Sequence, residues 1–126
     1  MDLAKIPGAS ELQDWFESWP SFHDAEILDL HLDRKGPSTL RIHAWKYESS
    51  ADNTEIPVSR RFIARFIFDD ITNLDVEEFN HQNVIYGLSL QQIGTDWRLE
   101  LKHCWGLSGF IQARRLRIEF EPGSSE

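Results

Sequence analysis

The chain has 126 residues, 40% of them hydrophobic and 27% charged, the size and composition of one globular domain rather than a disordered segment. Its net charge of −8, from 21 Asp and Glu against 13 Lys and Arg, argues against direct nucleic-acid binding, which draws its affinity from basic side chains on phosphates. The longest apolar stretch, Phe62 to Phe68, is broken by Arg65 and is too short for a membrane helix, while the single Cys104 excludes an internal disulfide and suits a reducing compartment.

Asp2, Glu11 and Asp14 stand near the N-terminus, where no apolar run forms a secretory leader, so a cytoplasmic protein is expected. Ser10 followed by Gln13 has the form of a capping box, and Leu12, Trp15, Phe16 and Trp19 recur at helical spacing. A short helix with an aromatic face is therefore predicted over about residues 10–19. Pro20 ends it, because the residue before a proline is pushed out of the helical region.

Strict alternation follows over 25–34, with Leu28, Leu30 and Leu32 on one face and Asp29, His31 and Asp33 on the other. After the turn residues 34–38, Leu40, Ile42 and Ala44 continue the pattern over 39–46, so the first two strands read as a hairpin. Tyr47 to Ser59 is polar and reads as a loop. A third strand over 60–69 has Phe62, Phe66 and Phe68 on one face and Ile63 and Ile67 on the other, the mark of a strand covered on both sides. Ile71 to Asn83 reads equally as a short helix capped at Thr72 or as an edge strand guarded by carboxylates.

Three more strands are predicted over 83–92, 96–104 and 111–121. Their registers are Val84, Tyr86, Leu88 and Leu90, then Trp97, Leu99, Leu101 and His103, then Leu116, Ile118 and Phe120. The expected fold is a single domain over 1–126, α+β but mainly β: an antiparallel sheet or sandwich of about six strands with one short N-terminal helix packed on it.

No metal-ligand signature, phosphate loop or nucleophile motif is present, so no catalytic, cofactor-binding or metal-binding residue is assigned. His103 and Cys104 are adjacent in a strand and point to opposite faces, which leaves a core histidine and a buried, inert thiol. His23 and Asp24 meet the same objection if the segment is extended. His31 and His43 fall on the polar registers of neighbouring strands and, with Asp29 or Asp33, form a weak metal candidate that depends on register. The run Asp69-Asp70 to Glu77-Glu78 lacks the turn glycine of a calcium loop, since Leu74 stands there.

Charge is segregated along the chain. Between Ile6 and Asp33 lie seven carboxylates and no Lys or Arg, and Asp69, Asp70, Asp75, Glu77 and Glu78 are unopposed over ten residues. Such segments either form a field that steers a basic partner or are solvated faces whose charges meet on folding.

Three motifs resemble the immunity protein 50 family of bacterial polymorphic-toxin systems: Trp19-Pro20-Ser21-Phe22-His23-Asp24-Ala25-Glu26-Ile27, Phe79-Asn80-His81-Gln82-Asn83-Val84-Ile85 and Cys104-Trp105-Gly106-Leu107-Ser108-Gly109. The resemblance spans Trp19 to Glu121. It implies a small cytosolic protein that binds and neutralises a cognate toxin domain without catalysis, with Trp19, Phe22, His23, Asp24, Asn80, Asn83, Gly106 and Gly109 as fold determinants. The expected contact residues are Asp69, Asp70, Asp75, Glu77 and Glu78, then Glu26 and Asp29; the chain itself is expected to be a monomer or small homo-oligomer that binds no nucleic acid or membrane. The alternatives are a small metal-dependent or hydrolytic enzyme using His23, Asp24, His31, His43 and Cys104, or a ligand- or peptide-binding module with a pocket lined by Trp45, Trp97 or Trp105.

Overall fold

The computed structural model describes residues 3–49 and 55–123. A 3-10 turn at Leu3–Lys5 precedes helix α1 (Ala9–Phe16). Strands β1 (Glu26–His31), β2 (Ser38–Ser49), β3 (Glu55–Glu77), β4 (Val84–Ile93), β5 (Asp96–Trp105) and β6 (Ser108–Pro122) follow. All pairings are antiparallel, and the sheet closes in the order β1-β2-β3-β6-β5-β4. Among the described residues the protein is thus mainly β with one small α-helix, and the sheet is a closed barrel rather than a sandwich.

Alternation builds the interior. Leu40, Ile42 and Ala44 of β2 and Phe62, Ala64, Phe66 and Phe68 of β3 all lie inside, none more than 2% exposed. Each phenylalanine removed from water contributes about 2–3 kcal/mol of apolar burial. Phe62 stands 5.7, 5.4 and 6.1 Å, ring centre to ring centre, from Trp15, Phe16 and Phe22. One strand residue therefore seats both the helix and the turn that follows it.

The helix is shorter than its aromatic spacing suggests. It begins at Ala9 with Gly8 as N-cap, and Ser10 makes no capping bond. Gly8 has φ +90°, and a Cβ there would lie 1.7 Å from the carbonyl oxygen of Ile118, so close passage over β6 decides the cap in favour of glycine. Ile118 N–H donates to the Pro7 carbonyl at 2.8 Å, so the N-terminal segment covers a part of β6 that β5 does not reach. At the other end Glu17 turns left-handed at φ 71°, before Pro20 is reached. Lys46 Nζ donates to the Phe16 carbonyl at 3.3 Å and lies 3.5 Å from Glu17, so β2 supplies the cation that this helix end lacks in its own sequence.

Bulges redirect two predicted registers. The shift between Ile27 and Asp29 puts Ile27 inside, keeps Leu30 against the core and leaves Leu32 46% exposed. In β4, shifts at Val84–Ile85 and Ile85–Gly87 bury Ile85 and turn Tyr86 outward to 59% exposure. The polar stretch expected to be a loop instead continues the β2–β3 ladder, with Tyr47 opposite Pro57, Glu48 opposite Ile56 and Ser49 opposite Glu55; residues 50–54 lie outside the described residues. Backbone pairing carries such a ribbon without the apolar alternation that a core-facing strand requires.

Of the ambiguous stretch, residues 71–77 are strand and 78–83 a connection to β4. Asp70 is left-handed at φ 59°, and β3 leaves β2 after Phe68–Ser38 while staying with β6 as far as Glu77–Ser108. The seam between β1 and β4 is short. Ile27 N–H donates to the Asn83 carbonyl at 2.9 Å, Ile85 N–H to Ala25 at 2.9 Å and Asp24 N–H to Ile85 at 2.8 Å.

Candidate functional site

The connection 78–83 and the β5–β6 turn are locked by one side chain. Asn83 is 3% exposed; its Oδ1 accepts from Leu107 N–H at 2.9 Å and Asn80 N–H at 3.1 Å, and its Nδ2 donates to the Asn80 carbonyl at 2.7 Å. Asn80 in turn accepts from Gln82 N–H at 2.8 Å and donates to the Glu78 carbonyl at 3.2 Å. Gly106, at φ +87°, has no room for a Cβ, which would sit 2.4 Å from Asn83 Oδ1. Gly109, at φ +128°, passes β3 so closely that a Cβ would lie 1.9 Å from the Asp75 carbonyl oxygen. The second and third sequence motifs are therefore two halves of one lock, which holds the acidic end of β3 against the start of β6.

The first motif builds the corner between α1 and β1. Phe22 is buried, left-handed at φ 60°, and held 6.0 Å from Trp19 and 5.8 Å from Phe66. Asp24 is left-handed as well, at φ 66°. The corner is consequently a turn and not an extended segment, and His23 and Asp24 do meet: His23 Nε2 is 3.5 Å from Asp24 Oδ1. The other ring nitrogen, Nδ1, lies 2.9 Å from the Tyr86 carbonyl oxygen, and the ring packs edge-on against Tyr86 at 5.4 Å. Both partners of this pair are nearly half exposed.

The other histidines fall elsewhere. His31 stands opposite Thr39 and His43 opposite Glu26, so they do not face each other across the hairpin. Cys104 and His103 are both exposed, not buried as expected; among the described residues β6 pairs with β5 only as far as Leu101, so the end of β5 that carries them lacks that neighbour. Among the described residues no three His, Cys, Asp or Glu side chains converge as a metal site would require. Trp45, Trp97 and Trp105 stand apart: Trp45 borders, with Trp19, a cavity of about 250 Å³ near Phe16, Trp97 borders one of about 400 Å³ near Arg114, and Trp105 is 60% exposed.

The seven expected contact carboxylates divide by what folding brings to them. Asp29 accepts from Arg41 Nε at 2.9 Å and from its terminal nitrogen as well. Asp70 accepts from Arg115 at 2.9 Å, and Asp69 lies 3.5 Å from Arg117. The basic run of β6 thus answers the first two carboxylates of the acidic run. Asp75, Glu77 and Glu78 are exposed and, with Glu26, make no ion pair among the described residues. The sequence pattern did not mark Phe79 or Tyr86 as exposed, yet Phe79, next to Glu78, is 52% exposed and Tyr86, beside His23, is 59% exposed. The Val84–Gly87 bulges that turn Tyr86 outward leave no trace in hydropathy.

Asp96 ties the same region to β5. Asp96 Oδ2 accepts from Thr72 Oγ1 at 2.7 Å and from Gln112 Nε2 at 3.2 Å, and these bonds, with Arg114 nearby, hold the Asp96 carboxyl below its usual pKa. A carboxylate whose pKa is depressed by folding adds stability above its unfolded pKa and loses it as pH falls through the folded value. Thr72→Val removes the larger cause, so NMR titration of the Asp96 carboxyl carbon is expected to show its midpoint moving up toward an ordinary aspartate; an unmoved midpoint would refute the assignment.

Among the described residues no helix is long and apolar enough to cross a membrane. In comparison with known proteins, the family model described as Immunity protein 50 matches residues 8–121. No curated protein and no solved structure matches the chain.

Proposed function

The chain belongs to the immunity protein 50 family, and from that premise we propose that it is a non-catalytic inhibitor that binds and neutralises the toxin domain of a bacterial polymorphic-toxin system in the cytoplasm. Its contact surface is the acidic end of β3. Asp75, Glu77 and Glu78 are the foremost residues, with Glu26 beside the β1–β4 seam, and Asp69, Asp70 and Asp29 as flanking groups partly neutralised by arginine.

The observation that carries the choice of surface is the absence of counter-ions on Asp75, Glu77 and Glu78 among the described residues. Exposed carboxylates that folding leaves unopposed repel one another, and a basic partner surface relieves that repulsion while speeding encounter. Nuclease–immunity protein pairs are among the tightest complexes known, which is the affinity class that protection against a lethal domain requires. Exposed Phe79, Tyr86 and Trp105 supply aromatic anchors of the kind that dominate binding energy at such interfaces.

The test is protection. The C-terminal toxin domain encoded beside this chain's gene is expressed in bacteria with and without it. Growth arrest relieved by co-expression is the expected result. Arrest that proceeds unchanged, with the chain present in soluble form, would remove toxin neutralisation as its function.

A further inference from the structure

The last part of β3 has a strand partner on one side only. Residues 71–77 pair with β6, whereas the β2 ladder stops at Phe68, and none of the described residues pairs with 70–77 on the other side. Alternate residues of such an edge turn their N–H and C=O groups outward, about four of the eight here. The edge is bounded by left-handed Asp70 and Glu78, and an open groove of about 760 Å³ borders its first part, from Asp70 to Leu74, with Asp75 and Glu77 beyond the groove's end. Across the groove lies the β1–β2 turn with Leu32, Arg34 and Lys35, and Arg114 and Arg115 of β6 also line it, beside Asp69 and Asp70. Leu32 and Leu74, which both line it, are 46% and 38% exposed.

Resting on the toxin-binding role proposed above, we infer that residues 70–77 are a docking edge to which an extended segment of the toxin adds as a further strand. The segment alternates basic residues, facing Asp75 and Glu77, with apolar ones that cover Leu74. Charge at exposed Asp75 and Glu77, beyond the basic residues of the groove, decides the occupant. Two copies of this edge laid antiparallel about Val76 would set Asp75 against Glu77 of the second copy, which costs energy, whereas a basic strand meets opposite charge at the same positions. The carboxylates that keep the edge from self-association thereby select its partner.

Amide exchange of residues 70–77, resolved by NMR in the free protein and in its complex with the toxin domain, tests this. Strand addition predicts slowed exchange at alternate amides, a pattern that simple coverage does not produce. Leu74→Gln, which leaves the charge unchanged, is expected to speed dissociation about tenfold with little change in association rate. A complex in which these amides exchange as in the free chain, or in which Leu74→Gln dissociates like wild type, overturns strand addition and leaves the acidic surface standing. A toxin domain that does not bind wild-type protein at all removes both.

Discussion

Replacing Asp75, Glu77 and Glu78 together by Lys is expected to slow association with the toxin domain about 100-fold at low salt and to flatten its salt dependence, with a smaller change in dissociation. These three side chains make no ion pair among the described residues, so their reversal breaks no internal contact. Net charge rises from −8 to −2, since each of the three reversals adds two units. The same reversal at exposed Glu11, Asp14 and Glu121 changes net charge equally but alters a different surface. Stopped-flow association rates across a salt series separate the two variants. A loss of equal size in both would assign the effect to overall charge and not to the end of β3. Asp69 and Asp70 are left out because Arg117 and Arg115 already screen them.

The second large effect is on stability. Asn83→Ala is expected to cost about 3–5 kcal/mol, since three hydrogen bonds are lost and the buried Leu107 N–H is left without a partner. Urea unfolding followed by tryptophan fluorescence measures it, because five Trp residues report on the transition. Asn83 also offers its carbonyl to Ile27 N–H at the β1–β4 seam, and the backbone keeps that bond in the variant. A loss below about 1 kcal/mol would mean that the turn and connection hold each other by packing alone, since one ordinary hydrogen bond contributes that much. The same substitution loosens the 78–83 connection, so toxin affinity falls with it although no carboxylate has been touched.

Much of the fold was legible because alternation and burial coincide in its centre. Leu40, Ile42 and Ala44, the β3 phenylalanines, and Trp97, Leu99 and Leu101 all lie inside on the registers their spacing predicts. What hydropathy could not convey are the places where backbone geometry overrides it. The bulges at Ile27–Asp29 and Val84–Gly87 change which residues face inward, exposing Leu32 and Tyr86 where the pattern placed them inside. Gly8 displaced Ser10 as N-cap because of a carbonyl on a strand more than one hundred residues away. His23 and Asp24, expected on opposite sides, meet because two residues of that corner adopt positive φ. Barrel closure through a handful of backbone bonds at Ala25, Asn83 and Ile85 leaves no side-chain signal at all.

For the candidate surface the sequence offered a run of five carboxylates, and the fold divides that run. Asp69 and Asp70 lie beside the β6 arginines, because the antiparallel pairing of β3 and β6 sets Asp69 opposite Arg115. Asp75 and Glu77 stand opposite Phe110 and Ser108, where β6 has no charge to offer. Of the two readings the sequence left open, charges that meet on folding hold at Asp69 and Asp70, while Asp75, Glu77 and Glu78 make no ion pair among the described residues.

The measurement that tests the central claim most directly is the footprint of the toxin domain on the isotopically labelled protein by NMR. The account predicts the largest chemical-shift changes at Asp75 to Phe79 and at neighbouring Tyr86 and Trp105. A complex whose footprint falls on Lys5 and Arg114 to Arg117, with residues 75–79 unperturbed, would contradict it.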